Sequence, residues 1–252
     1  MKTNQQRFGD KLKFLRKALL ILAISLFFAP AVMSQRGGSF YLEPSAGITS
    51  RWIANQAIYG NGELPYVTSF GPYAGFRTYY FATSDIGMNY GIGYRSMGQN
   101  YEGEERGANA KRKVKLGYVQ IPLLGMFALA DREYPTWFSI GPQVCFLAKA
   151  NQYFTRETGG ESMSNPQYLP EGDTNVYQWF KPFDLMIVME FNKMFRFNRA
   201  PRLTMNYTLE SGFGLLDIND EAYRIPNYRK IYGPSHNMYF GFRVGIMYRA
   251  VR

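Results

Sequence analysis

The chain has 252 residues, a formal net charge of +10 and 17% aromatics, with 20 Tyr and 20 Phe. Its one Cys excludes an intramolecular disulfide, and its one His excludes a His-rich metal site. The length suits one large or two small domains, and bulk hydropathy does not announce a membrane protein.

Residues 1–34 differ from the rest. Lys2, Arg7, Lys11, Lys13, Arg16 and Lys17 precede an apolar run, ALLILAISLFFA, at 18–29, and APAVMSQ follows. A basic head, a short apolar core and small residues before a polar one mark a secretory signal peptide. Val32 and Ser34 suit the −3 and −1 positions of a cut before Gln35, and Ala29 and Ala31 offer a second option. The alternative is an uncleaved anchor helix, but a run of about 12 residues falls short of the roughly 20 needed to span a bilayer. The segment holds six basic residues and one acid, Asp10, so the mature chain of residues 35–252 keeps about +5, spread along its length. With no basic helix and no phosphate-cradling loop, no nucleic-acid partner and no cofactor are expected.

After residue 35 the sequence alternates with a period of two instead of showing a helical period. In 39–49, Phe40, Leu42, Ala46 and Ile48 oppose Tyr41, Glu43, Ser45 and Gly47. In 70–80, Phe70, Ala74, Phe76 and Tyr80 oppose Tyr73, Gly75, Arg77 and Tyr79. In 87–95, Met88, Tyr90, Ile92 and Tyr94 oppose Gly87, Asn89, Gly91, Gly93 and Arg95. In 115–129, Val119, Ile121, Leu123 and Phe127 oppose Tyr118, Gln120 and Leu124.

The second half repeats the pattern. In 137–149, Phe138, Ile140, Val144 and Phe146 oppose Ser139, Gly141, Gln143, Cys145 and Lys149. In 180–192, Phe183, Leu185, Ile187, Met189 and Phe191 oppose Asp184, Met186, Val188 and Glu190. In 202–213, Leu203, Met205, Tyr207, Leu209 and Phe213 oppose Arg202, Thr204, Asn206, Thr208 and Glu210. In 237–249, Met238, Phe240, Phe242, Val244, Ile246 and Tyr248 oppose Asn237, Tyr239, Gly241, Arg243 and Gly245.

Most of these eight runs span roughly 11–15 residues. Ordinary globular strands have about 5–6, and a tilted transmembrane strand needs about 9–11. The links also alternate. Long segments at 50–66, 97–114, 150–177 and 214–236 interleave with short ones at 82–85, 131–135 and 195–201. An up-and-down membrane barrel, with short turns at one end and long loops at the other, has this signature. The expectation is therefore all-β: an eight-stranded antiparallel up-and-down transmembrane β-barrel after an N-terminal signal peptide. Its apolar faces would meet lipid, and its Gly-rich and polar faces would fill a narrow lumen. Tyr80, Phe81, Tyr94, Trp137 and Trp179 lie near strand ends and suit interfacial girdles. The competing fold is a soluble barrel of the lipocalin type with apolar faces inward. Its solvent faces would carry Lys and Glu in place of Gly, and so many Phe, Tyr and Met would overfill one small interior.

The stretches KLGYVQIPLL at 115–124 and FSIGPQVCFL at 138–147 resemble the outer-membrane β-barrel family of Bacteroidota, which includes the PorT-like proteins. The resemblance lies in Tyr118, Ile121, Pro122 and Leu123, and in the Gly141–Pro142 pair of the next strand; the S-Q pair at 34–35 also suits that phylum's signal peptides. It implies an eight-stranded barrel integral to the outer membrane and, for the PorT-like members, a role in protein secretion. The chain departs from the commonest outer-membrane ending, stopping at YRAVR with Tyr248 as the nearest aromatic. Pro122 removes a ladder hydrogen bond, so a bulge is expected near Ile121–Leu123.

The inward faces hold Glu43, Asp184, Glu190 and Glu210 with Arg77, Arg95 and Arg243. These are expected to form a closed lumenal network of charge pairs, since an unpaired charge there is costly. A narrow channel or small-molecule uptake porin is the alternative. No catalytic or metal residue is assigned. His236 adjoins Ser235, with Asp217 and Asp220 in the same link, but neighbours in one link rarely make an oriented nucleophile–base pair. Cys145 is expected to fill lumenal space. EGEER at 102–106 and KRK at 111–113 are expected to pair within an outer loop or to meet an outer-surface partner. The expected surroundings are outer-membrane lipid, and other envelope or secretion proteins through the outer loops, with 150–177 favoured for its length.

Overall fold

A computed structural model describes residues 38–55, 64–105, 108–130, 135–156, 172–224 and 232–251. The signal peptide expected over 1–34 lies outside these residues. The strands are β1 (Ser39–Ala54), β2 (Tyr66–Val67), β3 (Ser69–Phe81), β4 (Ile86–Glu105), β5 (Ala108–Ala130), β6 (Thr136–Arg156), β7 (Gly172–Asn175), β8 (Phe183–Phe197), β9 (Ala200–Gly214) and β10 (His236–Val251). Helix among the described residues amounts to single 3-10 turns at Tyr177–Trp179 and Glu221–Tyr223.

Eight of these strands close into a ring in the order β1, β3, β4, β5, β6, β8, β9, β10, every neighbour antiparallel. The first and last strands seal it, from Phe40 opposite Val251 to Ala54 opposite His236. The alternation read from the sequence sets the faces. Ile48, Phe76, Ile92, Leu123, Ile140, Met189, Leu209 and Phe242 are exposed, whereas Glu43, Arg77, Asn89, Gln143, Glu190, Asn206 and Arg243 are buried in the bore. Inward glycines make room for large neighbours. A Cβ on Gly245 would come within 2.4 Å of Glu43 Cδ, and one on Gly212 within 2.3 Å of the Tyr239 ring.

The short-turn end is built locally. The Thr83 hydroxyl accepts the backbone N–H groups of Asp85 and Ile86, both at 3.1 Å, and so closes the β3–β4 turn. β8 and β9 are joined by only Asn198 and Arg199.

Several expectations change at the opposite end. The segment 97–114 is not a loop: β4 and β5 stay in register through it, up to Glu105 opposite Ala108. β6 likewise runs to Arg156, so 150–156 is strand, and β7 pairs with it at 172–175. β2 pairs with the projecting part of β4. The result is a sheet extension beyond the ring. Gly98 lies within it: its φ of +120° suits glycine, and a Cβ there would clash with the Val114 carbonyl. The expected bulge at Ile121–Leu123 is absent. Register runs unbroken from Tyr90–Leu123 to Gly93–Gln120, and the ladder omits the pairs across from Ile121 and Pro122. Losing those pairs accommodates a residue without an N–H, and register shifts fall at Gly117/Tyr118 and Ala128/Ala130 instead.

Candidate functional site

The lumen gathers most of the ionisable residues picked out by the alternation. Arg243 on β10 sits at the centre. Its Nη1 lies 2.6 Å from Glu43 Oε1, its Nη2 3.3 Å from Glu190 Oε2 and its Nε 3.8 Å from Glu210 Oε2. Arg77 on β3 reaches Glu190 at 3.3 Å and donates to Asn89 Oδ1 and the Tyr73 hydroxyl. Arg95 on β4 pairs with Glu210 at 2.5 Å and donates to Gln120 Oε1 at 2.9 Å. Its guanidinium carbon lies 3.9 Å from the Tyr239 ring centroid and 4.5 Å from that of Tyr73. Each of these six charged side chains is at most 1% exposed. Three Arg and three Glu give the layer no net charge.

Asp184, grouped with them by its inward position, does not join them. It accepts from Asn237 Nδ2 at 2.9 Å, and that same amide donates to the Tyr118 hydroxyl at 3.2 Å. Asp184 sits at the second residue of β8, directly opposite Cys145, whose thiol is buried.

Polar neighbours outside the charged set complete the layer. Asn206 donates to Glu43 Oε2 at 2.6 Å, the Tyr79 hydroxyl to Glu43 Oε1 at 3.3 Å, and Asn89 to Glu190 Oε2 at 3.2 Å. Asn192 and Thr208 bond each other at 2.9 Å. The alternation already put several of these on the inward face, but only the three-dimensional register shows that they share one level. Arg51 went unnoticed because it lies two residues past the 39–49 run. It shares the face of Thr49 and donates to Ser69 Oγ at 3.0 Å, Met97 O at 2.8 Å and Ser96 Oγ.

Apolar layers cover the charges on both sides. Toward the extension lie Ile53, Met97, Leu116, Val176, Phe180 and Ile218. Toward the short turns lie Tyr79, Met126, Trp137, Met194 and Met247. Trp137 and Phe81, expected in an outer girdle, turn inward and pack together at 4.8 Å between centroids. Trp179 packs on the opposite cluster, so only Tyr80 and Tyr94 of that set lie on the outward face. A cavity of about 770 Å³ at the short-turn mouth has Trp137 and Met194 in its lining.

The outer wall changes character along its length. On β5, Leu123, Ile121 and Val119 face outward and Gln120 inward; farther along, Lys115 and Lys113 face outward and Leu116 and Val114 inward. On β4 the same change separates outward Ile92 and Tyr94 from outward Asn100 and Glu102, with Met97 and Tyr101 buried beneath. Glu102 pairs with Lys111 at 2.9 Å across this hairpin, with both side chains about half exposed.

Asp217 organises the link between β9 and β10. Its Oδ1 accepts from the backbone N–H groups of Ser235 and Asn219 and from the Tyr232 hydroxyl, and its Oδ2 meets Arg224 at 3.1 Å. Burial alone would raise the Asp217 carboxyl, but the Ser235 N–H, the Tyr232 hydroxyl, the Asn219 N–H and the Lys181 charge hold it below its ordinary value of 3.8. The clasp is therefore complete at neutral pH and is lost as pH falls through that depressed value. With Cys145 changed to Ser, a spin label at position 221 gains mobility over that acid range, and Asp217→Asn gives the mobile spectrum already at neutral pH. Spectra that ignore both changes would refute the clasp. Ser235 bonds Asn55 O and Asn219, while His236 Nδ1 lies 3.1 Å from Leu216 O. Hydroxyl and imidazole thus engage different partners.

No family model matches the chain, and no curated protein does. Among solved structures it is similar to the outer membrane protein OprG from Pseudomonas aeruginosa, at 8% identity over 85% of this chain and 97% of that one, with a TM-score of 0.46. It is also similar to Ail, the attachment invasion locus protein of Yersinia pestis, solved with the heparin analogue sucrose octasulfate (10%, 83% and 99%, TM-score 0.38). Neisserial surface protein A is a third (9%, 83% and 98%, TM-score 0.35).

Proposed function

We propose that the chain is a non-enzymatic integral barrel of the outer membrane, sealed along its bore, that anchors or scaffolds an envelope or secretion assembly. One observation carries the reading: β4 and β5 switch their apolar side from outward to inward at one level. A wall in hydrocarbon must be apolar on the outside, and a sheet standing in water must bury its apolar side. The closed ring supports this, because lipid tolerates no open sheet edge.

Sealing rests on the layered bore, with charges neutralised in the middle and apolar side chains above and below. The assembly role draws on the resemblance of 115–124 and 138–147 to the PorT-like barrels. It places partner contacts on the extension and on the 150–177 segment, whose part from 157 to 171 lies outside the described residues. Export would use the signal peptide at 1–34.

Planar-bilayer recording of the purified protein tests the seal, and no steady conductance is expected. A large, steady conductance would replace this reading with that of a narrow channel or uptake porin.

A further inference from the structure

A groove of about 620 Å³ runs over the outside of the barrel, across β8, β9 and β10. Phe191, Phe195, Tyr207 and Phe242 give it an aromatic lining. The rings lock together: Phe195 meets Tyr207 edge-on at 5.5 Å, and Tyr207 stacks on Phe242 at 6.0 Å. Lys193 also lines the groove, together with Arg196, which has the inward parity of Met194 and at the strand end is shared with the short-turn mouth; no carboxylate is among the described lining residues. Lys193 breaks the outward apolar series Ile187, Met189, Phe191 on its strand. It is half-buried, and its Nζ donates to Thr136 Oγ1 at 3.0 Å. Thr136 is the first residue of β6, so the ammonium is drawn toward the short-turn rim. Exposed Arg199 and Arg202 extend the positive charge past that rim.

We infer that this groove binds a diacyl phospholipid with a net-negative headgroup, taken from the leaflet at the short-turn end. An acyl chain lies along the aromatic floor, and the phosphodiester is held by the Lys193 ammonium and the Arg196 guanidinium. Charge complementarity selects this occupant: two cations at the polar end of an apolar slot suit an anionic amphiphile, and a zwitterionic headgroup brings its own competing cation. The inference rests on the membrane reading above.

Native mass spectrometry of the detergent-purified protein with equimolar phosphatidylglycerol and phosphatidylcholine tests it. Phosphatidylglycerol adducts should dominate, by about fivefold for each cation engaged. K193Q with R196Q should bring the two lipids to parity. K193R should keep the preference, as should K113Q with K115Q on the far extension. Folding of each variant is checked by its heat-dependent gel migration. Should K193Q with R196Q fail to fold, the wild type decides through salt: its preference must collapse at high ionic strength. Parity in the wild type, or an unchanged preference in folded K193Q with R196Q, overturns the site. A protein that stays folded and monomeric without detergent overturns the membrane reading itself. One that folds only in detergent or vesicles but shows no lipid preference overturns the groove alone.

Discussion

Replacing Arg243 with methionine is expected to cost the barrel about 3–5 kcal/mol, the usual effect of removing one partner from a buried ion pair. Arg243 alone touches all three lumenal glutamates, Glu43, Glu190 and Glu210. Without it, Arg77 still holds Glu190 and Arg95 still holds Glu210. Among the described residues, Glu43 keeps hydrogen bonds from the neutral donors Asn206 and Tyr79 at 0% exposure, and the nearest remaining guanidinium, Arg77 opposite it in the ladder, is already paired with Glu190. Three carboxylates would then face two guanidiniums in a space without bulk water. Adding Glu43→Gln restores a neutral layer of two pairs, so the double variant should lose less than the sum of the single losses, by roughly 0.5–3 kcal/mol. Urea unfolding in vesicles, followed by tryptophan fluorescence, reads both quantities. Arg224→Met, which breaks a partly exposed pair in the β9–β10 link, should cost about 1 kcal/mol or less. If Arg243→Met unfolds at the wild-type midpoint, the charged layer does not hold the lumen together.

A soluble barrel of this size would fill its interior with hydrocarbon. This one commits its central layer to ion pairs whose net worth is small, because desolvation offsets most of the Coulomb attraction. What the layer supplies is a consequence of geometry. Arg243 pairs with its ladder neighbours β1 and β9 and also reaches Glu190 on β8, while Arg77 ties β3 to β8 and Arg95 ties β4 to β9 across the bore. Strands that are not neighbours in the ladder are thereby fixed to one another across the lumen.

The ring was legible because side-chain alternation is local. Ile92 against Gly91 and Gly93, or Met189 against Val188 and Glu190, declares a two-faced strand whatever its partners are. The extension was harder to read because the pattern inverts there. At Lys113, Val114, Lys115 and Leu116 the alternation continues, but the apolar member now faces inward, so a reading that expects apolar residues outside takes the segment for a loop. Trp137 shows the same limit: nearness to a strand end suggested an interfacial girdle, while its parity with Ser139 already placed it inside. Asp184 has the inward parity of Glu190, and six residues of strand are enough to lift it out of the Arg layer. Height along a tilted strand depends on inter-strand register, such as Arg77 opposite Gly91 and Gly93 opposite Gln120, and no single strand encodes that.

Met189→Arg is the test of which side of the wall meets lipid. Met189 lies in the middle of the outward series of β8 and is 44% exposed, with Ile140 and Ser211 as its lateral partners. An arginine facing hydrocarbon near the midplane of a barrel costs about 2–4 kcal/mol, and one near an interface costs about 0–1 kcal/mol. The same change at Tyr153, exposed on the projecting part of β6, should therefore fall in the lower range. Urea unfolding from vesicles measures both variants against the wild type. A wall bathed in water would accept arginine at either place with little change, because an exposed surface substitution there removes no buried contact. The difference between the two positions, more than either value alone, carries the result. A cost at Met189 no larger than at Tyr153 would mean that the apolar belt does not face lipid. The sealed, charge-filled bore would then belong to a barrel standing in water, whose apolar outer wall would need some other cover.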